Sequence, residues 1–249
     1  MVSLNFSPPV IAHRGASAYA PENTLIAFLK AAQLGIKWIE FDVMQASCGE
    51  PIIFHDDSLE RTTDATGQVC QLPYTYLQTI DAGRWFDPQF AGERIPNLQQ
   101  IIELLQNTKL NANVEIKSLP AYEEPLIKTV LAQLTPYMKT KQSTILFSSF
   151  SINALTLLRK QSPDALLGLL LHDWEPGWEE VVNSLQCVSV HVNQHILTKS
   201  MAKKIKSMDK ALLCYTVNHP KRALKLFSWG VDAVFSDAPD LIVEGVDST

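Results

Sequence analysis

Two carboxylates sit at alternate positions inside an apolar run, Trp38-Ile39-Glu40-Phe41-Asp42-Val43, and they are the first residues here whose spacing points to chemistry. An extended strand sends neighbouring side chains to opposite faces, so Glu40 and Asp42 share one face about 6.6 Å apart along the chain, with Ile39, Phe41 and Val43 on the other. At an effective dielectric near 20, unit charges at that spacing repel by about 2.5 kcal/mol before any desolvation is counted. The pair therefore calls for a cation: a hard divalent ion such as Mg²⁺ or Ca²⁺, or Lys and Arg in structural ion pairs. The same alternation in Asn113-Val114-Glu115-Ile116-Lys117 puts Glu115 and Lys117 on one face, and a third carboxylate favours the metal. His13, Arg14 and His55 add a fixed positive charge and two groups that exchange protons near neutral pH. Such a set suits a phosphodiester, with cations against phosphoryl oxygens and two histidines dividing the proton transfers.

These residues fall where alternating strands and helices would place them. A strand over 10–13 ends on His13-Arg14-Gly15. Glu22-Asn23-Thr24 opens a helix whose apolar Leu25, Phe28, Leu29 and Ala32 recur at helical spacing, with Asn23 a plausible N-cap and Gly35 the stop. The acidic strand follows, and a strand over 51–55 again ends on a histidine. Residues 56–96 break the rhythm with turn formers and read as an inserted cap, with some helix around 74–79; Trp85 and Phe86 anchor it rather than close over a ligand. Asn97 caps a helix striped by Leu98, Ile101, Ile102 and Leu105. Further strands are expected at 112–117, 143–148, 165–170, 188–192, 211–217 and 233–235, separated by amphipathic helices. Short apolar strands alternating with helices mean parallel βα units, and a chain of 249 residues matches one α/β domain, a TIM-type (β/α)8 barrel over 1–249 with a small insertion after the second strand. No Gly-x-Gly-x-x-Gly follows the first strand, which counts against an open dinucleotide-binding sheet.

Composition narrows the class. A net charge of -5 without a Lys/Arg cluster interleaved with aromatics speaks against nucleic acid. The densest apolar run, 165–171, is too short to span a bilayer, so no stable membrane insertion is expected. Cys48, Cys70, Cys187 and Cys214 form no close pair and read as reduced thiols, and the amino-terminal residues lack a secretory pattern, so a cytoplasmic location is expected. His172, His195 and His219 read as structural, and His191 either faces the barrel mouth with Asn193 or is a hydrogen-bonded lining residue.

Together, His13-Arg14-Gly15, Pro21-Glu22-Asn23-Thr24, Glu40-x-Asp42, His55-Asp56, Glu115-Ile116-Lys117 and Tyr215-Thr216-Val217-Asn218 strongly resemble the glycerophosphodiester phosphodiesterase family, most of all its short cytoplasmic bacterial members. The resemblance runs from about His13 to Asp237. It implies hydrolysis of glycerophosphodiesters, such as glycerophosphocholine or glycerophosphoethanolamine, to sn-glycerol 3-phosphate and an alcohol. It also implies His13 as general base, His55 as general acid, and Glu40, Asp42 and Glu115 as ligands of a divalent ion, Mg²⁺ or Ca²⁺. Arg14 and Lys117 are expected to bind substrate; Glu22 binds within the site or supports the helix start. Tyr215 stands where many relatives carry Trp, which bears on substrate preference. The alternatives are a phospholipase-like or lysophospholipid-cleaving phosphodiesterase on the same barrel, which requires an apolar groove, and a non-catalytic module that binds glycerophosphodiesters without turnover.

Overall fold

The computed structural model describes residues 4–117, 119 and 121–248. Its strands are β1 (Val10–Ala12), β2 (Trp38–Gln45), β3 (Pro51–Ile53), β4 (Asn111–Ile116), β5 (Ile145–Ser149), β6 (Leu166–Leu171), β7 (Ser189–Asn193), β8 (Ala211–Tyr215) and β9 (Ala233–Ser236). The helices are α1 (Leu25–Gln33), α2 (Tyr74–Leu77), α3 (Leu98–Thr108), α4 (Glu123–Met138), α5 (Ile152–Gln161), α6 (Trp178–Ser184), α7 (Lys199–Ser207), α8 (Pro220–Phe227) and α9 (Pro239–Asp247). All strands but β3 pair in parallel in the order β1-β2-β4-β5-β6-β7-β8-β9, and β9 returns to β1, which closes a TIM-type barrel. β3 lies outside the ring, antiparallel to β2 through Val43↔Ile53 and Gln45↔Pro51. The strand expected over 51–55 thus stops at Ile53 and leaves His55 on the loop that follows.

The period-2 pattern sorts the side chains as expected. Ile39, Phe41 and Val43 point outward into the layer between ring and helices, where Phe28 of α1 meets Phe41 edge-on at 5.9 Å. Inside the ring, Ile11, Trp38, Leu146, Leu213, Ala233 and Phe235 form an apolar plug, and Phe6 packs on Trp38. Filling one end with apolar side chains leaves the carboxyl ends of the strands to hold polar groups. The inserted segment has its own apolar cluster, with Leu59, Val69, Leu77 and Ile80 packed on Met44 and Ile52. Trp85, Phe86 and Phe90 stack edge-to-face within it, and Trp85 Nε1 donates to Ala82 O, the anchoring role expected of them. Asn97 caps α3 in a reciprocal capping box with Gln100.

One polar side chain is locked into the interior. His191 on β7 is fully buried, pairs through Nε2 with Ser189 Oγ at 2.8 Å and packs against Phe235. Gly168 makes room for it, since a Cβ there would lie 2.5 Å from His191 Nε2. Burial pushes the His191 pKa down to about 3, so the folded chain holds a neutral ring. The unfolded ring titrates near 6.5. Between those values the unfolded state binds the extra proton, so stability is full above about 6.5 and is lost as the pH falls toward 3, by up to about 1.4 kcal/mol per unit. His191→Gln is expected to shrink the difference in urea-unfolding free energy between about pH 7 and pH 5 by up to about 2 kcal/mol. An unchanged pH slope in the variant would show that His191 is not the group responsible.

Candidate active site

The carboxyl ends of β1, β2 and β4 carry His13, Arg14, Glu40, Asp42, Glu115 and Lys117, while His55 comes from the loop after β3 and Glu22 from the turn before α1. β2 and β4 pair with Asp42 opposite Glu115, so the acids of two strands meet in one layer. Glu40, Asp42 and Glu115 each offer an oxygen within 4.8 Å of the others, a group that could hold a metal ion. Glu40 and Asp42 are buried. Glu40 Oε2 accepts the Arg14 backbone N–H at 2.8 Å, while Oε1 is buried with no hydrogen-bond partner. The turn that aims this N–H is tight, with Arg14 at φ 54 and Gly15 at φ 84, and a Cβ on Gly15 would strike Ala27 at 2.7 Å. Only glycine fits there.

Charge is unevenly shared across the cluster. Burial, then Asp42 and Glu115, push the Glu40 carboxyl well above the usual range. Burial and Asp42 push Glu115 up to about 7. Burial alone would raise Asp42 too, but the Arg14 guanidinium (Nε–Oδ2 3.4 Å) and Lys117 ammonium (Nζ–Oδ1 3.6 Å) hold it below its ordinary value. Lys117 also donates to Glu115 at 3.2 Å. Two cations thus face three acids, and one buried oxygen of Glu40 is left without a partner. That is the donor set a hard divalent ion takes, and the residues fit one.

Each histidine is backed by a carboxylate. His13 Nδ1 donates to Asp237 Oδ1 at 2.7 Å, and Asp237 also accepts from Ser17 and Asn218. Burial opposes ionisation of Asp237, yet these bonds, that from His13 foremost, hold its pKa down at about 2. His55 Nδ1 donates to Asp56 Oδ1, and burial lowers the His55 pKa. With both Nδ1 atoms committed, each ring keeps Nε2 for the pocket that His13 and His55 line together with Glu40, Glu115 and Lys117. Phe150 and Tyr215, edge-to-face at 6.0 Å, form its outer wall, and the Tyr215 hydroxyl is turned away to Leu171 O. The pocket can therefore receive an anion between two proton-transfer groups.

Glu22 lies one layer back: Oε1 accepts from Arg14 and Arg61, and Oε2 from Arg61. Asn23 is not the helix cap. Thr24 caps α1, and Asn23, at φ 58, donates its amide to Asp42 Oδ2 at 2.9 Å and accepts the Asp42 N–H. Sequence reasoning missed this role for Asn23 because two adjacent cap-competent residues left the choice open. It also missed the partners Asp56, Arg61 and Asp237. Asp56 follows His55 directly and could have been found; Asp237 lies 224 positions from His13 and meets it only through β9–β1 pairing.

A (β/α)8 barrel whose mouth sets two carboxylate-backed histidines around three clustered acids and two cations fits the class of phosphate-ester hydrolases. The model of the glycerophosphoryl diester phosphodiesterase family matches residues 13–241. The chain is 32% identical over 240 residues to a glycerophosphodiester phosphodiesterase of Caldanaerobacter subterraneus subsp. tengcongensis, covering 94% of this chain and 96% of that one. It is 29% identical to the Bacillus subtilis glycerophosphodiester phosphodiesterase, over 93% of this chain and 84% of that one. Among solved structures, an Oleispira antarctica phosphodiesterase in complex with the product sn-glycerol-3-phosphate superposes with a TM-score of 0.91 at 37% identity, covering 96% of this chain and 97% of that one. The chain belongs to the glycerophosphoryl diester phosphodiesterase family.

Proposed function

We propose that this enzyme hydrolyses water-soluble glycerophosphodiesters, among them glycerophosphocholine and glycerophosphoethanolamine, to sn-glycerol 3-phosphate and the free alcohol. The observation that carries the reading is the pair of histidines with Nδ1 held by Asp237 and Asp56 and Nε2 left for one shared pocket. A carboxylate on Nδ1 fixes the tautomer whose Nε2 accepts a proton, and it stabilises the imidazolium once formed. His13 Nε2 takes the proton of the nucleophile, which is either water, giving sn-glycerol 3-phosphate directly, or the glycerol 2-hydroxyl, giving a cyclic phosphate that water then opens. In its imidazolium form, which burial disfavours and the Asp42 charge and the Asp56 hydrogen bond favour, His55 delivers a proton from Nε2 to the alkoxide oxygen as its bond to phosphorus breaks. Arg14 and Lys117 lie against the acids and present positive charge to the phosphoryl oxygens as charge builds there. When bound, a divalent ion would be held by Glu40, Asp42 and Glu115 and would supply Lewis-acid polarisation of a phosphoryl oxygen. The four cysteines are free thiols, which suits the reducing cytoplasm expected from sequence. No helix among the described residues is long and apolar enough to cross a membrane.

The test is release of sn-glycerol 3-phosphate from glycerophosphocholine with Mg²⁺ or Ca²⁺ and with excess chelator. Chelation is expected to remove nearly all turnover and re-addition to restore it; full activity in chelator would end the metal part of the proposal. One further observation favours a second reading, cleavage of lysophospholipids. A groove of ≈ 220 Å³ lined by Phe150, Ile152, Leu170, Trp178 and Val181 runs on from the catalytic pocket, sharing Phe150 and Leu170 with it. If an acyl chain lies there, lysophosphatidylcholine will be cleaved faster than glycerophosphocholine, because each buried methylene is worth about 0.8 kcal/mol. A slower rate on the lysophospholipid would remove that reading.

A further inference from the structure

The cap reaches the catalytic residues through the side chain of Arg61. This residue lies between β3 and α3, and its guanidinium grips two carboxylates, each through two nitrogen–oxygen contacts. Nε and Nη2 donate to Asp56 Oδ2 and Oδ1 at 2.6 and 2.9 Å, and Nη1 and Nη2 donate to Glu22 Oε2 and Oε1 at 2.8 and 2.7 Å. Asp56 is the carboxylate that holds His55 Nδ1. Glu22 Oε1 also accepts Arg14 Nη1 at 2.8 Å, and Arg14 in turn sits against Asp42. A continuous chain of contacts thus runs His55–Asp56–Arg61–Glu22–Arg14, with the cap residue at its centre.

We infer that Arg61 is a positioning residue through which the cap sets the orientation of His55 and of Arg14 together. The inference rests on the proposed role of His55 as the proton donor to the leaving group. The planar fork of arginine matches two carboxylates at fixed angles, a geometry that a lysine ammonium does not reproduce. The Arg61 side chain is 45% exposed, and exposed ion pairs add little to stability. Four short contacts from so exposed a side chain therefore serve direction rather than the holding of the fold. Without them the Asp56 carboxylate is free to rotate and the His55 ring with it, while Glu22 keeps only Arg14.

The two ends of the chain fail in different ways, which makes the role measurable. Misplacing a leaving-group acid slows departure of an alkoxide and hardly affects departure of a stable aryloxide. Misplacing Arg14 slows both. Arg61→Met and Arg61→Lys are compared with the parent enzyme on glycerophosphoethanolamine and on the 4-nitrophenyl phosphodiester of glycerol, with thermal midpoints recorded. Arg61→Met is expected to lower kcat on the alkyl ester by about 10–100-fold and on the aryl ester by no more than about 5-fold, with the midpoint nearly unchanged. Arg61→Lys is expected to recover only a small part of the alkyl-ester rate. In a His55→Ala background, Arg61→Met should cost the alkyl ester no more than it costs the aryl ester. Equal losses on the two esters in the His55 enzyme, or full activity of Arg61→Lys, would overturn the inference. Failure of the underlying reading looks different: His55→Ala alone would then leave the alkyl-to-aryl rate ratio unchanged.

Discussion

Turnover of glycerophosphocholine is expected to fall by about 10²–10⁴-fold in His13→Ala and in His55→Ala, while both variants should unfold close to the parent midpoint. The size follows from what general acid–base groups contribute when placed against a reacting oxygen, and each ring is so placed by its own carboxylate. The stability expectation follows from what each substitution leaves behind. Removing His13 leaves Asp237 still hydrogen-bonded to Ser17 and Asn218, and removing His55 leaves Asp56 clamped by Arg61. Neither carboxylate is stranded, so each loss is of the order of one hydrogen bond, about 1 kcal/mol. Asp237→Asn is expected to cost about 10–100-fold, because an amide is a poorer acceptor for Nδ1–H and no longer stabilises the imidazolium. The measurement is kcat and KM for each variant beside its thermal midpoint. Either histidine variant retaining parental kcat would remove that histidine from the mechanism.

The meeting of the acids was legible because it rests on local rules. Alternation in a strand put Glu40 with Asp42 and Glu115 with Lys117, and the same rule pointed Ile39, Phe41 and Val43 at the helices, where they lie. Barrel rhythm followed from short apolar strands spaced by amphipathic helices. What stayed hidden depends on how distant segments meet. The antiparallel pairing of β3 with β2 is one such meeting, and a short apolar run after the second barrel strand does not announce it. Arg61 sits in a segment of turn formers with no periodicity to aim it, and only the folded cap brings it to Glu22, 39 positions earlier. Asp237 stayed hidden as well, because no spacing rule ties a residue after the last strand to one after the first; ring closure does.

Glu40→Gln separates the two explanations first offered for the acidic strand, and it does so through the sign of a stability change. Glu40 has one oxygen on the Arg14 N–H and one with no partner, in a setting that raises its proton affinity through burial and through Asp42 and Glu115. If the cluster is a structural ion-pair site, Arg14 and Lys117 need the Glu40 charge, and an amide there should destabilise the protein with or without metal. If the cluster is a cation site, the metal-free protein favours a protonated, neutral Glu40, and the amide stands in for that form while its carbonyl still accepts the Arg14 N–H. The variant should then melt at or above the parent temperature in chelator. Adding Mg²⁺ or Ca²⁺ to about 100 times the dissociation constant should stabilise the parent by about 2.7 kcal/mol and the variant far less. Turnover should drop by about 10²–10³-fold, the usual cost of losing a group that stabilises charge in the transition state. Thermal melts in chelator and in metal, with kcat in metal, give the whole comparison. A variant that melts lower in chelator yet keeps its metal-induced shift and its turnover would return Glu40 to the role of an ion-pair partner for Arg14.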